Sequence, residues 1–169
     1  MLRLFYLILA GFLALSACTA PEYANDTPGR SPTKAYRIRS GDVSKIQYRM
    51  LDSVNSLRAA SGAGPVQLDA QLNAAAATHS RDMSVQNRPW HFGSDGSSPL
   101  DRVARAGYYG RFLGENISET YESEIETLGA WMDQAGTRQV ILDPSAVSMG
   151  FAWYQENSGK IWWTMIMGG

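Results

Sequence analysis

The chain has 169 residues, a formal net charge of −1 and a charged fraction of 18%, with no basic run, which leaves nucleic-acid binding without an electrostatic footing. Its single cysteine, Cys18, excludes an internal disulfide from everything that follows, so the fold must be held by core burial. The length beyond that cysteine suffices for one domain with a sizeable core.

Met1-Leu2-Arg3 supplies a small positive region, and Leu4 to Leu15 is an almost unbroken apolar run. Too short for a stop-transfer helix, the run reads as the apolar stretch of a signal peptide. It ends in Leu15-Ser16-Ala17-Cys18, which resembles the lipobox of bacterial lipoproteins, whose cysteine is lipidated and becomes the first mature residue. The organisation expected is a signal peptide over 1–18 ending at lipidated Cys18, a flexible linker over 19–41, and a folded domain over 42–169. Pro21, Pro28, Gly29 and Pro32 punctuate the linker. The lipid membrane is then a partner through Cys18 acylation, and stable anchoring takes more than one chain. Thr19 stands where an aspartate marks retention at the inner membrane. By the same resemblance, its presence implies a bacterial cell envelope protein at the outer membrane, facing the periplasm.

From Asp42 to about Ala60 the spacing of Ile46, Met50, Val54 and Leu57 predicts a helix with one apolar face. Ser40 or Asp42 can cap it, and Gly62-Ala63-Gly64-Pro65 ends it. A second helix follows from about Asp69 to Val85, with Leu72, Ala75, Ala76, His79 and Met83 on one stripe and four consecutive alanines within it. His79 is either a ligand or base, or a histidine at the edge of the core with its ring nitrogens hydrogen-bonded.

Trp90 to Ser98 is rich in glycine, serine and aspartate and reads as an ordered surface loop carrying His91. Ser98 with Asp101 forms a capping box for a short third helix through Val103 and Ala106, stopped by Gly107. Glu115 to Glu119 is expected as the first strand. Thr120 can cap a fourth helix, with Ile125, Leu128 and Met132 on one face, Trp131 beside it and Gly136 at its end. Val147 to Gln155 and Lys160 to Met167 predict a hairpin around Glu156-Asn157-Ser158-Gly159. Apolar residues on both faces of these strands call for helices on both sides. The expected fold is α+β, a three-layer α-β-α sandwich with a small antiparallel sheet.

No standard catalytic motif occurs, and no cysteine follows Cys18 to act as a nucleophile. Leu51-Asp52-Ser53-Val54-Asn55-Ser56-Leu57-Arg58, the Ala-rich helix ending His79-Ser80-Arg81-Asp82-Met83, His91-Phe92-Gly93, Gly114-Glu115-Asn116-Ile117, Trp131-Met132 and Met149-Gly150-Phe151-Ala152 together resemble the CAP superfamily. These are the cysteine-rich secretory, antigen-5-like and pathogenesis-related proteins, also described as carrying the SCP domain.

The resemblance implies a cleft in which two histidines and two acidic residues bind a divalent metal, zinc or magnesium, in several members. His91 and Glu115 match two of those positions; the other two fall on Gln134 and Thr137, the latter followed by Arg138. A zinc site needs three or four imidazole, thiolate or carboxylate ligands, so metal at His91 and Glu115 would be weakly held unless the fold recruits Asp95, Asp133 or His79. The pair could instead serve as general acid and base, or as a structural hydrogen bond.

The function expected is therefore an envelope-tethered binding module. Its cleft, around His91, Glu115, Gln134, Thr137 and Arg138, would take an apolar or extended ligand: a lipid, a sterol-like molecule or a peptide. The alternatives are a metal-dependent or His91/Glu115-based hydrolase of peptide or envelope material, and a stress-linked interaction protein with a protein partner.

Overall fold

The computed structural model describes residues 36–169. The expected signal peptide, the Cys18 lipidation site and the expected linker as far as residue 35 lie outside the described residues. The chain runs through a 3-10 turn (Ser40–Asp42), α1 (Val43–Ala60), β1 (Gln67–Leu68), α2 (Ala70–Gln86), α3 (Pro99–Arg105), β2 (Phe112–Ser118), α4 (Glu124–Asp133), α5 (Ala135–Leu142), β3 (Ser148–Gln155) and β4 (Ile161–Gly168).

The sheet has the order β1-β3-β4-β2. The three long strands are antiparallel, β3 and β4 as a hairpin and β2 against the far edge of β4. The two-residue β1 adds a parallel contact to β3, so the small sheet is mixed rather than wholly antiparallel. That parallel pairing is possible because a long crossover, rather than a tight turn, separates β1 from β3.

Alternation along the strands sorts the core into two layers. Met149, Phe151, Trp163, Met165 and Met167 pack with Ile46, Met50 and Val54 of α1, Leu128 and Trp131 of α4 and Ile141 of α5. Ala152 and Ile166 point the other way, against Leu72, Ala75 and Ala76 of α2 and Val103 of α3. The small α2 stripe lets that helix approach the sheet backbone. A Cβ built on Gly150 would lie 2.3 Å from the Leu72 carbonyl carbon.

Next to the α1 stripe, Arg58 is fully buried. Its guanidinium donates to the carbonyls of Gly64 (2.7 Å), Ile141 (2.8 Å), Asp143 (2.9 Å) and Ala146 (2.9 Å). One side chain thus satisfies carbonyl acceptors of the α1–β1 loop, the end of α5 and the loop that follows it.

Two local expectations are corrected. The fourth helix starts after Ser123, not Thr120: Ser123 and Glu126 form a reciprocal capping box that satisfies two backbone donors. Starting there turns Glu124, Thr127, Leu128 and Trp131 inward and leaves Ile125 43% exposed. Nor does Gly136 end this helix. The break is Gln134, in extended conformation (φ −98°, ψ 130°), and Gly136 lies inside α5.

The described chain is also engaged before the expected domain start. The Ile38 N–H donates to Gln155 Oε1 at 3.0 Å, and Arg37 Nη1 donates to the Glu156 carbonyl at 2.8 Å.

Candidate functional site

Strand β2 carries the site, and its alternation decides what each residue meets. A register irregularity between Phe112 and Gly114 sets the phase. Gly114 then faces α5, where a Cβ would lie 2.6 Å from Val140 Cγ2. Glu115 points to the opposite layer. Asn116 turns back, its Nδ2 donating to the Thr137 carbonyl at 2.9 Å and fastening the start of α5 to the strand.

The Glu115 side chain is 1% exposed. One nitrogen of Arg102, Nη2, donates to both of its oxygens, at 3.0 Å to Oε1 and 2.8 Å to Oε2. His91 Nδ1–H donates to Oε1 at 2.9 Å. Arg102 comes from α3, which the Ser98–Asp101 capping box starts at the required angle, and it is itself buried. Its Nε has no partner, and Nη1 makes a long bond of 3.3 Å to the Ser97 carbonyl. The attraction between charges in this poorly solvated place makes the pair tight, and its desolvation makes it costly to break.

His79 reaches the same carboxylate from α2, its Nε2 standing 3.6 Å from Glu115 Oε1. It lies in the core rather than at its edge, and neither ring nitrogen completes a hydrogen bond. The Trp90 backbone approaches the ring closely enough to favour its protonated form slightly, but falls short of a hydrogen bond. Burial pushes the imidazole below its ordinary range; Glu115 opposes that shift and Arg102 reinforces it.

The His91 loop is shaped by two aspartates. Asp82 of α2 accepts from the Ser94 N–H (2.7 Å) and hydroxyl (2.6 Å) and from Gln86 Nε2 (2.9 Å). Although burial works against it, these bonds hold the Asp82 carboxyl below the usual carboxylate range. Asp95 accepts from the Ser97 N–H at 2.9 Å and from Arg105 at 2.6 Å. Gly93 sits between them, where a Cβ would come within 2.6 Å of Asp95 Oδ1 and Ser97 Oγ.

The loop thereby holds a half-exposed His91 at the wall of a groove of about 500 Å3. The groove runs beyond the edge of β2, between Trp90, His91 and Phe92 on one side and Trp131, Gln134 and Thr137 on the other.

Of the residues singled out in the sequence, the structure brings His91 onto Glu115, and His91, Gln134 and Thr137 onto one groove. Glu115 lies beneath the groove rather than in its wall. Arg138 is not among the lining residues; its Nη1 donates to the Met132 carbonyl at 2.8 Å. Thr137 Oγ1 donates to the Trp131 carbonyl at 2.5 Å.

Arg102 was missed, and His79, weighed as a ligand, a base or a hydrogen-bonded histidine at the core edge, stands instead as a buried neighbour of Glu115. The available signals were an arginine beside inward-facing Val103 and a histidine on an otherwise apolar stripe.

The donor set does not suit the divalent metal allowed for above. Both oxygens of Glu115 are occupied by a guanidinium, whose charge would repel a cation placed between Glu115 and His91. Gln134 and Thr137 offer only an amide and a committed hydroxyl. Among the described residues, no group of three or more His, Cys, Asp or Glu side chains is arranged to hold a metal ion.

The family model of the cysteine-rich secretory proteins (CAP) matches residues 51–167. An uncharacterised protein of Bacillus subtilis, YkwD, is 28% identical over 148 residues, covering 85% of this chain. The match takes in 57% of that relative's length, so this chain corresponds to little more than half of it.

Among solved structures, an outer surface protein of Borrelia burgdorferi superposes with a TM-score of 0.69 at 12% identity, over 75% of this chain and 94% of that one. An extracellular SCP-domain protein of Bacillus anthracis superposes with a TM-score of 0.67 at 23% identity, over 82% of this chain and 44% of that one. At these identities the likeness carries the fold alone.

Proposed function

The chain belongs to the cysteine-rich secretory protein (CAP) family, and from that premise we infer that it is a binding module tethered to the bacterial cell envelope. The reading joins a signal peptide and lipidated Cys18, at the outer membrane facing the periplasm, to a domain that takes an apolar or extended ligand beside His91. Two structural neighbours, an outer surface protein and an extracellular protein, agree with a place outside the cytoplasm.

One observation carries the choice of binding over catalysis: the Arg102 guanidinium occupies both oxygens of Glu115. A general base needs a lone pair free to take a proton in reach of substrate. Here the Glu115 carboxylate, 1% exposed, holds Arg102 and the His91 N–H beneath the groove, so a ligand in the groove meets the His91 imidazole as an oriented polar contact rather than Glu115. Such a groove, mostly apolar with a few placed polar groups, is the usual make-up of a ligand site.

The test is native mass spectrometry of the full chain released from membranes. An organic adduct that persists in His91→Ala and is lost on narrowing the groove with Ala130→Trp supports the reading. A stoichiometric metal adduct that disappears in His91→Ala refutes it. The hydrolase reading keeps one specific support, the 2.9 Å contact of His91 with Glu115. It would be established if Glu115→Gln abolished turnover of a peptide or envelope substrate while the protein melted normally.

A further inference from the structure

The groove beside His91 does not end at its own walls. A second cavity, of about 420 Å3, lies between Tyr36, Glu122, Ser158 and Lys160. The two share Glu119, Thr120 and Tyr121 as a common wall. Sharing that wall, the two cavities lie side by side, and a trough joining them would run from Gln134 and Thr137, past His91 and Tyr121, to the β3–β4 turn.

Aromatic rings stand along this trough with part of their surface in water: Trp90 (39% exposed), Phe92 (45%), Tyr121 (36%) and Tyr36 (41%). Two of them are held in place. Trp90 and Phe92 pack with centroids 5.2 Å apart at 52°, and the Arg88 guanidinium sits 3.8 Å from the Trp90 ring centre. Between the rings lie groups that give or take hydrogen bonds, among them Ser118, Thr120, Gln134 and Ser158. Lys160 is paired with Glu119 at 2.5 Å.

We propose that this trough binds a strand of uncharged, β-linked pyranose sugars, a glycan chain lying along the aromatic rings. The proposal rests on the binding-module reading and names the ligand class of that same site. A β-linked pyranose has a flat face of C–H groups that lies on an aromatic ring and a rim of hydroxyls that need partners. The lining supplies both kinds of surface.

The other candidates fit less well. An acyl chain or sterol in an open trough keeps one side in water, and apolar binding scales with the area removed from it. A sugar leaves its far side hydrated at no cost. A phosphorylated headgroup finds no unpaired lysine or arginine among the described lining residues, since Lys160 is committed to Glu119. A peptide adding to the β2 edge needs a free backbone ladder. There the Ile117 carbonyl is already taken by the Trp131 indole N–H at 3.2 Å.

The experiment uses the full chain in a detergent without a sugar headgroup, titrated with the dimer and hexamer of β-1,4-linked N-acetylglucosamine. Calorimetry and tryptophan fluorescence report binding. The hexamer should bind at least tenfold more tightly than the dimer, which reaches only one of the two cavities. Trp90→Ala and Tyr121→Ala should each weaken the hexamer about tenfold with little change in melting temperature.

Equal affinity for both lengths, or hexamer binding indifferent to both substitutions, overturns the proposal. If the hexamer is silent while a lipid or peptide adduct leaves on narrowing the groove, the glycan is overturned and the binding-module reading stands. If no adduct is found and neither oligomer binds, both fall.

Discussion

Replacing Arg102 with methionine tests the centre of the site. The substitution preserves much of the volume and removes the charge that holds Glu115. The carboxylate would remain 1% exposed, with only the His91 N–H at 2.9 Å to replace two contacts of 3.0 and 2.8 Å. Removing one member of a buried ion pair costs about 3–5 kcal/mol, most of it from the stranded charge. With the histidine bond retained, the lower end applies, about 3 kcal/mol. For a domain of this size each kcal/mol moves the melting temperature by about 4 °C, so a fall of about 12 °C is expected.

Urea denaturation followed by tryptophan fluorescence would report the loss directly, since Trp131, Trp162 and Trp163 are buried. Glu115→Leu alone strands Arg102 at a similar cost of about 3 kcal/mol, whereas the double variant Arg102→Met with Glu115→Leu should lose only about 1 kcal/mol, a coupling energy of about 5 kcal/mol. A single-variant cost under about 1 kcal/mol, or a double variant at the sum of the two singles, would refute the claim that Arg102 holds Glu115 in place.

Three further outcomes follow from the geometry. His79 is held neutral by burial, so protons bind the unfolded chain more readily. Stability should be full above about pH 6.5 and fall as pH drops below it, by at most about 1.4 kcal/mol per unit. The lowered carboxyls of Asp82, Asp101 and Asp143 add their own loss only below about pH 4, so a stability profile of His79→Gln that stays as steep as wild type between pH 6.5 and 5 would rule His79 out.

Arg58→Met leaves four carbonyls without their donor and should cost about 3 kcal/mol or more by chemical denaturation; a near-neutral result would mean that water replaces the guanidinium. Gly150→Ala drives a methyl to 2.3 Å from the α2 backbone and should cost at least about 2 kcal/mol in a thermal melt, unless α2 can shift without repacking.

What could be read from the sequence was what neighbouring residues decide together. The stripes of α1 and α2, the Ser98–Asp101 cap, the hairpin and the need for helices on both faces of the sheet all arise within about a dozen residues. The fourth helix misled because two residues could cap it: Thr120 looked adequate alone, while Ser123 had Glu126 to answer it. Gly136 read as a stop because glycine lowers helix propensity, yet the extended backbone at Gln134 had already made the break.

At the site, His91 and Glu115 were legible through the motifs around them. Arg102 and Arg58 were not, because a lone arginine on a helix ordinarily faces water. Their burial depends on acceptors brought from 13 residues away for Arg102 and up to 88 for Arg58. His79 was seen on its stripe, but its partner comes from β2 across the layer, which periodicity within α2 has no means to reveal.

The order of strands in the sheet also bears on how the protein folds. β2 and β3 never pair with each other; each bonds to β4, which lies between them. A chain emerging from its N-terminus onward therefore holds two apolar strands apart until residues 161–168 arrive. Until then neither strand has its main partner, and the sheet's open edges are free to pair with other chains. Closure also couples positions far apart in sequence, a topology that folds slowly. The interval before the fourth strand emerges is therefore one in which unpaired strand edges favour aggregation.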